Sequence, residues 1–168
     1  MALTLILMRH AKSSWSDPSQ GDFDRPLNGR GKKSAPAIAR WLCQKGYLPD
    51  LVLVSGARRT VETWERMAGQ LPEAIDVKTA RELYLAEPWV ILDVLQRQTH
   101  QSIMMIGHNP GFAWFADQLA KSPSSHPRFE DYPTAATTVF GLETQTWKDT
   151  MFGTAQILDF AIPRDLLA

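Results

Sequence analysis

A chain of 168 residues, 44% hydrophobic and 21% charged, fits one globular domain over 1–168 with a core large enough to fold without disulfides or a structural metal. Its 18 basic and 18 acidic side chains cancel, so neither sequence-independent nucleic-acid binding nor attachment to an acidic membrane is expected. The one cysteine, Cys43, excludes an internal disulfide or a multi-thiolate metal site, and its place beside Trp41 and Leu42 predicts a buried small hydrophobe.

Leu3 to Met8 is apolar throughout, as in a strand buried on both faces. It lacks the basic lead-in and cleavage site of a signal peptide, and no apolar run approaches the length of a membrane span, so a cytoplasmic protein is expected. Asn28 is placed to cap a first helix, whose apolar residues Ile38, Trp41 and Leu42 recur at helical spacing and stop near Gly46. Pro36 falls inside this pattern, so the helix either starts just before it or bends there. Leu51 to Val54 predicts a second strand, followed by a helix from about Arg59 to Leu71. A weaker strand is expected around Ile75 to Val77. Pro88 suits the first turn of a helix carrying Val90, Ile91, Val94 and Leu95. Ile103 to Ile106 is another buried strand, ending at Gly107, and a helix from about Gly111 to Ala120 follows it. Lys121 to Pro133 is rich in proline and serine and reads as a loop. Thr137 to Leu142 and Ala155 to Phe160 are two late strands around the Trp147 segment. Trp41, Trp64 and Trp114 lie on apolar helical faces and are predicted to be core; Lys32 and Lys33 read as a solvated helix face. Strands alternating with helices predict an α/β fold, a three-layer α/β/α sandwich whose central sheet is mostly parallel with one antiparallel strand.

Three of these strands end in polar residues unlike their interiors: Arg9-His10, Ser55 to Arg59, and His108-Asn109. Each piece alone has an ordinary structural explanation. In open parallel sheets, however, ligands bind outside the carboxyl ends of the strands, where these three would converge. Arg58 and Arg59 also stand at a helix N-terminus, which favours anions over cations, so their presence points to a bound anion. The inventory suits phosphoryl transfer, which depends on positioning and on neutralising charge spread over the equatorial oxygens. Arginine offers a planar fork for two phosphate oxygens, and a neutral imidazole can attack phosphorus to form a phosphohistidine. A second histidine can steady charge or move protons. HExxH and paired CxxC spacings are absent, so a chemistry without metal or other cofactor is preferred.

The residues resemble the histidine phosphatase superfamily. LMRHAKS is similar to its signature, an Arg-His pair after the first strand, with Ala11 where glycine is usual, as in the family's small bacterial branch. Ser55, Arg59 four residues on and Thr63 four further match the second element, and IGHNPG matches the third. Asp24-Arg25-Pro-Leu before the first helix resembles a segment of the SixA-type phosphohistidine phosphatases, with Asn28 where threonine is usual. The likeness runs from Leu3 to about Leu142 and implies a phosphoglycerate mutase-like fold. It implies His10 as nucleophile, Arg9, Arg59 and His108 as its catalytic partners, and Arg9, Arg25, Arg59 and His108 as phosphate ligands. By the same spacing Arg59, not Arg58, is the ligand. Trp15 either edges the pocket or serves in packing, and Lys12 and Ser13 are either solvent-exposed, the default for such residues, or further donors to the phosphate.

Ester-hydrolysing relatives place a carboxylic acid near the leaving group. Glu82 in RELYLAE falls roughly at that point, and Asp17, Asp22 and Asp24 are further candidates, none in a convincing local motif. Without such an acid the substrate implied by the resemblance is a phosphohistidine on a protein, for instance a histidine-containing phosphotransfer protein. The alternatives are a phosphomonoesterase acting on a small phosphate ester and a phospho-ligand binding module without turnover.

Overall fold

The computed structural model describes residues 2–167. Six strands form one sheet: β1 (Leu3–Arg9), β2 (Leu51–Val54), β3 (Asp76–Thr79), β4 (Ser102–Gly107), β5 (Thr137–Leu142) and β6 (Gln156–Ala161), in the order β3-β2-β4-β1-β5-β6. β3, β2, β4 and β1 are mutually parallel, whereas β5 runs antiparallel to both of its neighbours, β1 and β6. β5 is therefore the single reversed strand.

Helices cover both faces: α1 (Gly29–Lys45), α2 (Arg58–Ala68), α3 (Pro88–Gln96) and α4 (Gly111–Leu119), with a last short helix α5 (Pro163–Leu166). The period-two alternation of strand side chains assigns the two apolar layers. Leu5, Leu7, Leu53, Ile103 and Met105 face α3 and α4, joining Ile91, Leu95, Phe112 and Phe115. Ile6, Met8, Val52, Val54, Met104 and Ile106 face α1 and α2, joining Ile38, Leu42 and Met67. At about 1.5–3 kcal/mol for each fully buried side chain, these layers hold the four parallel strands in fixed register.

Local chemistry explains where α1 begins and ends. The Asn28 side chain accepts from the Gly31 N–H at 3.0 Å, and Gly46 closes the helix in the left-handed region at φ 76. The helix runs unbroken through Pro36 rather than starting there. Gly31 is required because a Cβ would lie 2.2 Å from the Lys12 carbonyl oxygen, so the α1 start packs directly on the chain leaving β1.

Two expectations are corrected. Cys43 is exposed, because the buried face of α1 passes through Ile38, Trp41 and Leu42 and the next residue turns outward. Trp114 is 50% exposed, on the outer side of α4, although Trp41 is buried and Trp64 packs half-buried against the α1–α2 layer. The third strand is Asp76–Thr79, exposed at every position, as befits an edge strand guarded by charge. It begins one residue after Ile75 and runs two past Val77, overlapping the expected strand.

Candidate active site

The sheet register brings the three polar strand ends together. Arg9 pairs with Gly107 and Val54 with Ile106, so the residues that follow, His10, Ser55 and His108, emerge side by side. Backbone bonds carry the pairing past the strand ends: His10 N–H to Gly107 O at 3.0 Å and Ser55 N–H to Ile106 O at 3.1 Å. The His10 and His108 ring centroids are 5.4 Å apart, and the residues are 5% and 2% exposed.

His10 Nδ1 lies 2.6 Å from the Ala11 carbonyl oxygen. A carbonyl only accepts, so Nδ1 carries the proton and Nε2 keeps its lone pair. The Arg59 Nε–H donates to Nε2 at 3.3 Å. Burial pushes the His10 pKa well below the ordinary histidine value, the Ala11 bond opposes this, and Arg9, His108 and Arg59 lower it further. His10 is thus a neutral imidazole of defined tautomer. Its backbone neighbour is fixed as well: Ala11 N–H donates to Thr63 Oγ1 at 3.0 Å, and the Thr63 hydroxyl donates to the Arg59 carbonyl at 2.7 Å. The threonine four residues after Arg59 therefore ties the turn after β1 to the first turns of α2.

Three guanidiniums surround the pair of histidines. Arg59, in the first turn of α2, has a side chain only 3% exposed, whereas Arg58 turns outward to Glu62 at 2.9 Å. Arg9 donates from Nη1 to Tyr132 O at 3.2 Å, while its buried Nε has no partner. Arg25 is buried, donates from Nη1 to Ser13 Oγ at 2.7 Å, and has its guanidinium carbon 3.5 Å from the Trp15 ring centroid. His108 Nε2 is 2.7 Å from Ser55 Oγ, its Nδ1 is buried without a partner, and the edge of Tyr84 stands 5.3 Å from its ring. Burial first, then Arg59, Arg9 and Arg25 against the opposing charge of Asp22, push the His108 pKa down to about 3. Three cations, two neutral imidazoles and two buried unpaired N–H or N positions are complementary to a tetrahedral oxyanion.

His10, His108, Arg9, Arg25 and Arg59 are all in this cluster, whereas Arg58, the other cation singled out at the start of α2, is not. Ser13 is buried behind Arg25, and Trp15, 72% exposed, forms the outer edge. Lys12 contributes its backbone carbonyl, which accepts from Asn28 N–H at 3.0 Å. Among the carboxylates, Glu82 is held by Arg97 at 2.6 Å, Asp17 is hydrogen-bonded by Ser19, and Asp24 is exposed. Asp22 is the exception. It binds both Arg25 and Arg59, at 3.2 and 3.0 Å. Partial burial would raise its pKa, but the hydrogen bond from Tyr84 and those from Arg59 and Arg25 bring it down to about 2.

Two contributors were not singled out in the sequence. Tyr84 donates to Asp22, and Tyr132 presents its carbonyl to Arg9 and, at 2.8 Å, to Asn109 Nδ2. Tyr132 achieves this with a positive φ of 49, held by its hydroxyl bonds to Leu7 O and Thr138 Oγ1 at 2.7 and 2.8 Å. A cleft of about 980 Å³ lies at the other end of β1, bounded by Leu3, Thr4, Lys121 and Leu158, and contains none of these residues. Among the described residues no cluster of three or more His, Cys, Asp or Glu side chains is placed to hold a metal ion, and no helix is long and apolar enough to cross a membrane.

Residues 5–84 match the family model of the histidine phosphatase superfamily (branch 1). An uncharacterized chloroplastic protein of Arabidopsis thaliana is 36% identical over 132 residues, 69% of this chain, and the chain spans 58% of that relative's length. A structure from Agrobacterium tumefaciens, assigned as the phosphohistidine phosphatase SixA, superposes with a TM-score of 0.78 at 29% identity, covering 96% of this chain and 98% of that one. A protein histidine phosphatase SixA complexed with tungstate shares the fold at a TM-score of 0.80 and 21% identity, over 98% and 99% of the two chains. The chain belongs to the histidine phosphatase superfamily.

Proposed function

We propose that this single domain is a phosphatase that forms a phosphohistidine on His10 and whose substrate is a phosphohistidine borne by a protein. The observation that carries the reading is the state of His10: Nδ1–H held by Ala11 O at 2.6 Å and Nε2 left with its lone pair beside Arg59. A phosphoryl group seated on Arg9, Arg25, Arg59 and His108 faces that lone pair. Nε2 forms a bond to phosphorus as the bond to the leaving group breaks, and the leaving group departs with a proton. Water then attacks phosphorus, the Nε2–P bond breaks, and inorganic phosphate leaves with His10 neutral again. The guanidiniums match charge on the equatorial oxygens throughout, so the step needs no metal.

The state of the carboxylates favours a P–N over a P–O substrate. Asp22 is ionised with a pKa of about 2, and Glu82 is held low by its hydrogen bond from Arg97, so neither is a proton donor near neutrality. An alkoxide leaving group needs such a donor. An imidazole protonated on its far nitrogen does not. The partner is then a phosphorylated histidine-containing protein, and the cytoplasm is the compartment in which it would be met.

Rapid-quench mixing with a ³²P-phosphohistidine protein tests the intermediate. The reading expects transient acid-labile, alkali-stable label on the enzyme, mapped to His10 and absent from His10→Ala. Turnover by His10→Ala at the wild-type rate overturns it.

A further inference from the structure

Asp22 touches more of the anion-binding machinery than any other side chain, and the reaction above gives it no part. Its Oδ1 accepts from Arg25 Nε and Nη2 at 3.3 and 3.2 Å. Its Oδ2 accepts from Arg59 Nη2 at 3.0 Å and from the Tyr84 hydroxyl, and its backbone carbonyl accepts from Arg59 Nη1 at 2.6 Å. We propose that Asp22 is a positioning residue, an internal counter-anion that holds Arg25 and Arg59 in register before substrate binds and releases them to the incoming phosphoryl group. This inference rests on the pocket being a phosphoryl site.

For Arg25, donor arithmetic requires the release. A guanidinium has five N–H groups. Arg25 directs Nε and one Nη2 proton to Asp22 and its Nη1 protons to Ser13 Oγ and Ser14 O, at 2.7 and 3.4 Å, which leaves one donor free. A bidentate grip on phosphate uses two parallel N–H groups, so Arg25 gains one only by giving up a present partner. Arg59 spends three of its donors, Nε on His10 and one at each terminal nitrogen on Asp22, so its two remaining N–H groups lie beside the carboxylate that a bound anion would replace.

Electrostatics supply the reason for a placeholder. Arg59, with a side chain 3% exposed, would be a buried cation beside Arg9 and Arg25 if no anion were present. The carboxylate supplies the missing charge until substrate does. A bound phosphoryl group then makes Asp22 a like-charged neighbour. The departure route is short, because the Asp22 side chain is 43% exposed and belongs to an exposed three-residue 3₁₀ turn, Asp22–Asp24. Until that release its charge persists at all working pH values, since the Tyr84 and arginine contacts outweigh its partial burial.

The test is calorimetric titration with inorganic phosphate at pH 7, paired with thermal unfolding in the presence and absence of phosphate. It compares wild type, Asp22→Asn, Tyr84→Phe and Arg59→Ala. Asp22→Asn is expected to lower Tm without phosphate, to bind phosphate on the order of tenfold tighter, and to gain more Tm from phosphate than wild type. Tyr84→Phe, which frees one bond on Oδ2, is expected to tighten phosphate by about two- to threefold. A residue that merely shaped the pocket would weaken binding when replaced. Unchanged or weaker phosphate binding in Asp22→Asn overturns the inference, and the same result in Tyr84→Phe does so if Asp22→Asn fails to fold. Phosphate binding in wild type that is absent, or indifferent to Arg59→Ala, instead removes the phosphoryl-pocket reading and the inference with it.

Discussion

At the scale of single residues, the site depends on which atoms already have partners. His10 is oriented by Ala11 O and Arg59, and Arg59 by Asp22 and its place in α2, so removing one member changes the state of the next. In the proposed reaction Arg59→Ala should lower kcat/KM by on the order of 10²–10³, the usual effect of deleting a preorganised donor to transition-state charge. Glu82→Gln should leave the rate on a phosphohistidine protein within about twofold, because its partner is the surface residue Arg97 and the loss is that of one exposed ion pair. Steady-state kinetics of the two variants check both, and a collapse in Glu82→Gln would show that an acid takes part. His10, Arg59 and His108 could be picked from the sequence because each directly follows an apolar strand or sits in a helix first turn. Tyr84 and Asp22 could not be paired that way: they lie 62 residues apart, and only tertiary packing brings them together.

At the scale of elements, the pocket is held by close backbone approaches that leave no room for side chains. A Cβ on Gly111 would lie 1.8 Å from the Ala86 carbonyl oxygen, so the start of α4, three residues after His108, is pressed against the segment that carries Tyr84. Gly111→Ala should therefore cost about 1–3 kcal/mol in urea unfolding and slow turnover with it. Asn28→Ala, which removes the α1 cap, should cost about 1 kcal/mol and leave the pocket chemistry intact. Full activity and stability in Gly111→Ala would contradict this account of the contact. The strands with strong apolar pattern, β1, β2 and β4, were legible within a residue, and α1 at its Asn28 cap and Gly46 stop, although Pro36 left its path between them open. β3 was legible only as a weak strand, because an edge strand exposed on all four positions carries little apolar pattern. Cys43 and Trp114 were misread because helical spacing gives the apolar stripe but not its outer limit.

At the scale of the whole molecule, folding buries two imidazoles in neutral form. Below about pH 6.5 the unfolded chain binds protons that His10 and His108 refuse, so stability rises with pH there and falls on acidification. For His108, with a folded pKa of about 3, the slope is about 1.4 kcal/mol per pH unit between the two values. Asp22 works in a different window: its depressed pKa contributes stability above the unfolded carboxylate value that is lost only as pH falls through about 2. The urea midpoint without phosphate should therefore drop between pH 7.5 and 5.5, and the drop should be smaller in the His10→Ala/His108→Ala double variant. The strand alternation made the α/β sandwich with one reversed strand readable from sequence, whereas the order of strands in the sheet required the structure. The measurement closest to the central claim is parallel hydrolysis of a phosphohistidine-bearing protein and p-nitrophenyl phosphate, with His10→Ala as control. The account predicts rapid, His10-dependent release of phosphate from the phosphohistidine and slow release from the ester. Preference for the ester, or phosphohistidine turnover that survives His10→Ala, would contradict it.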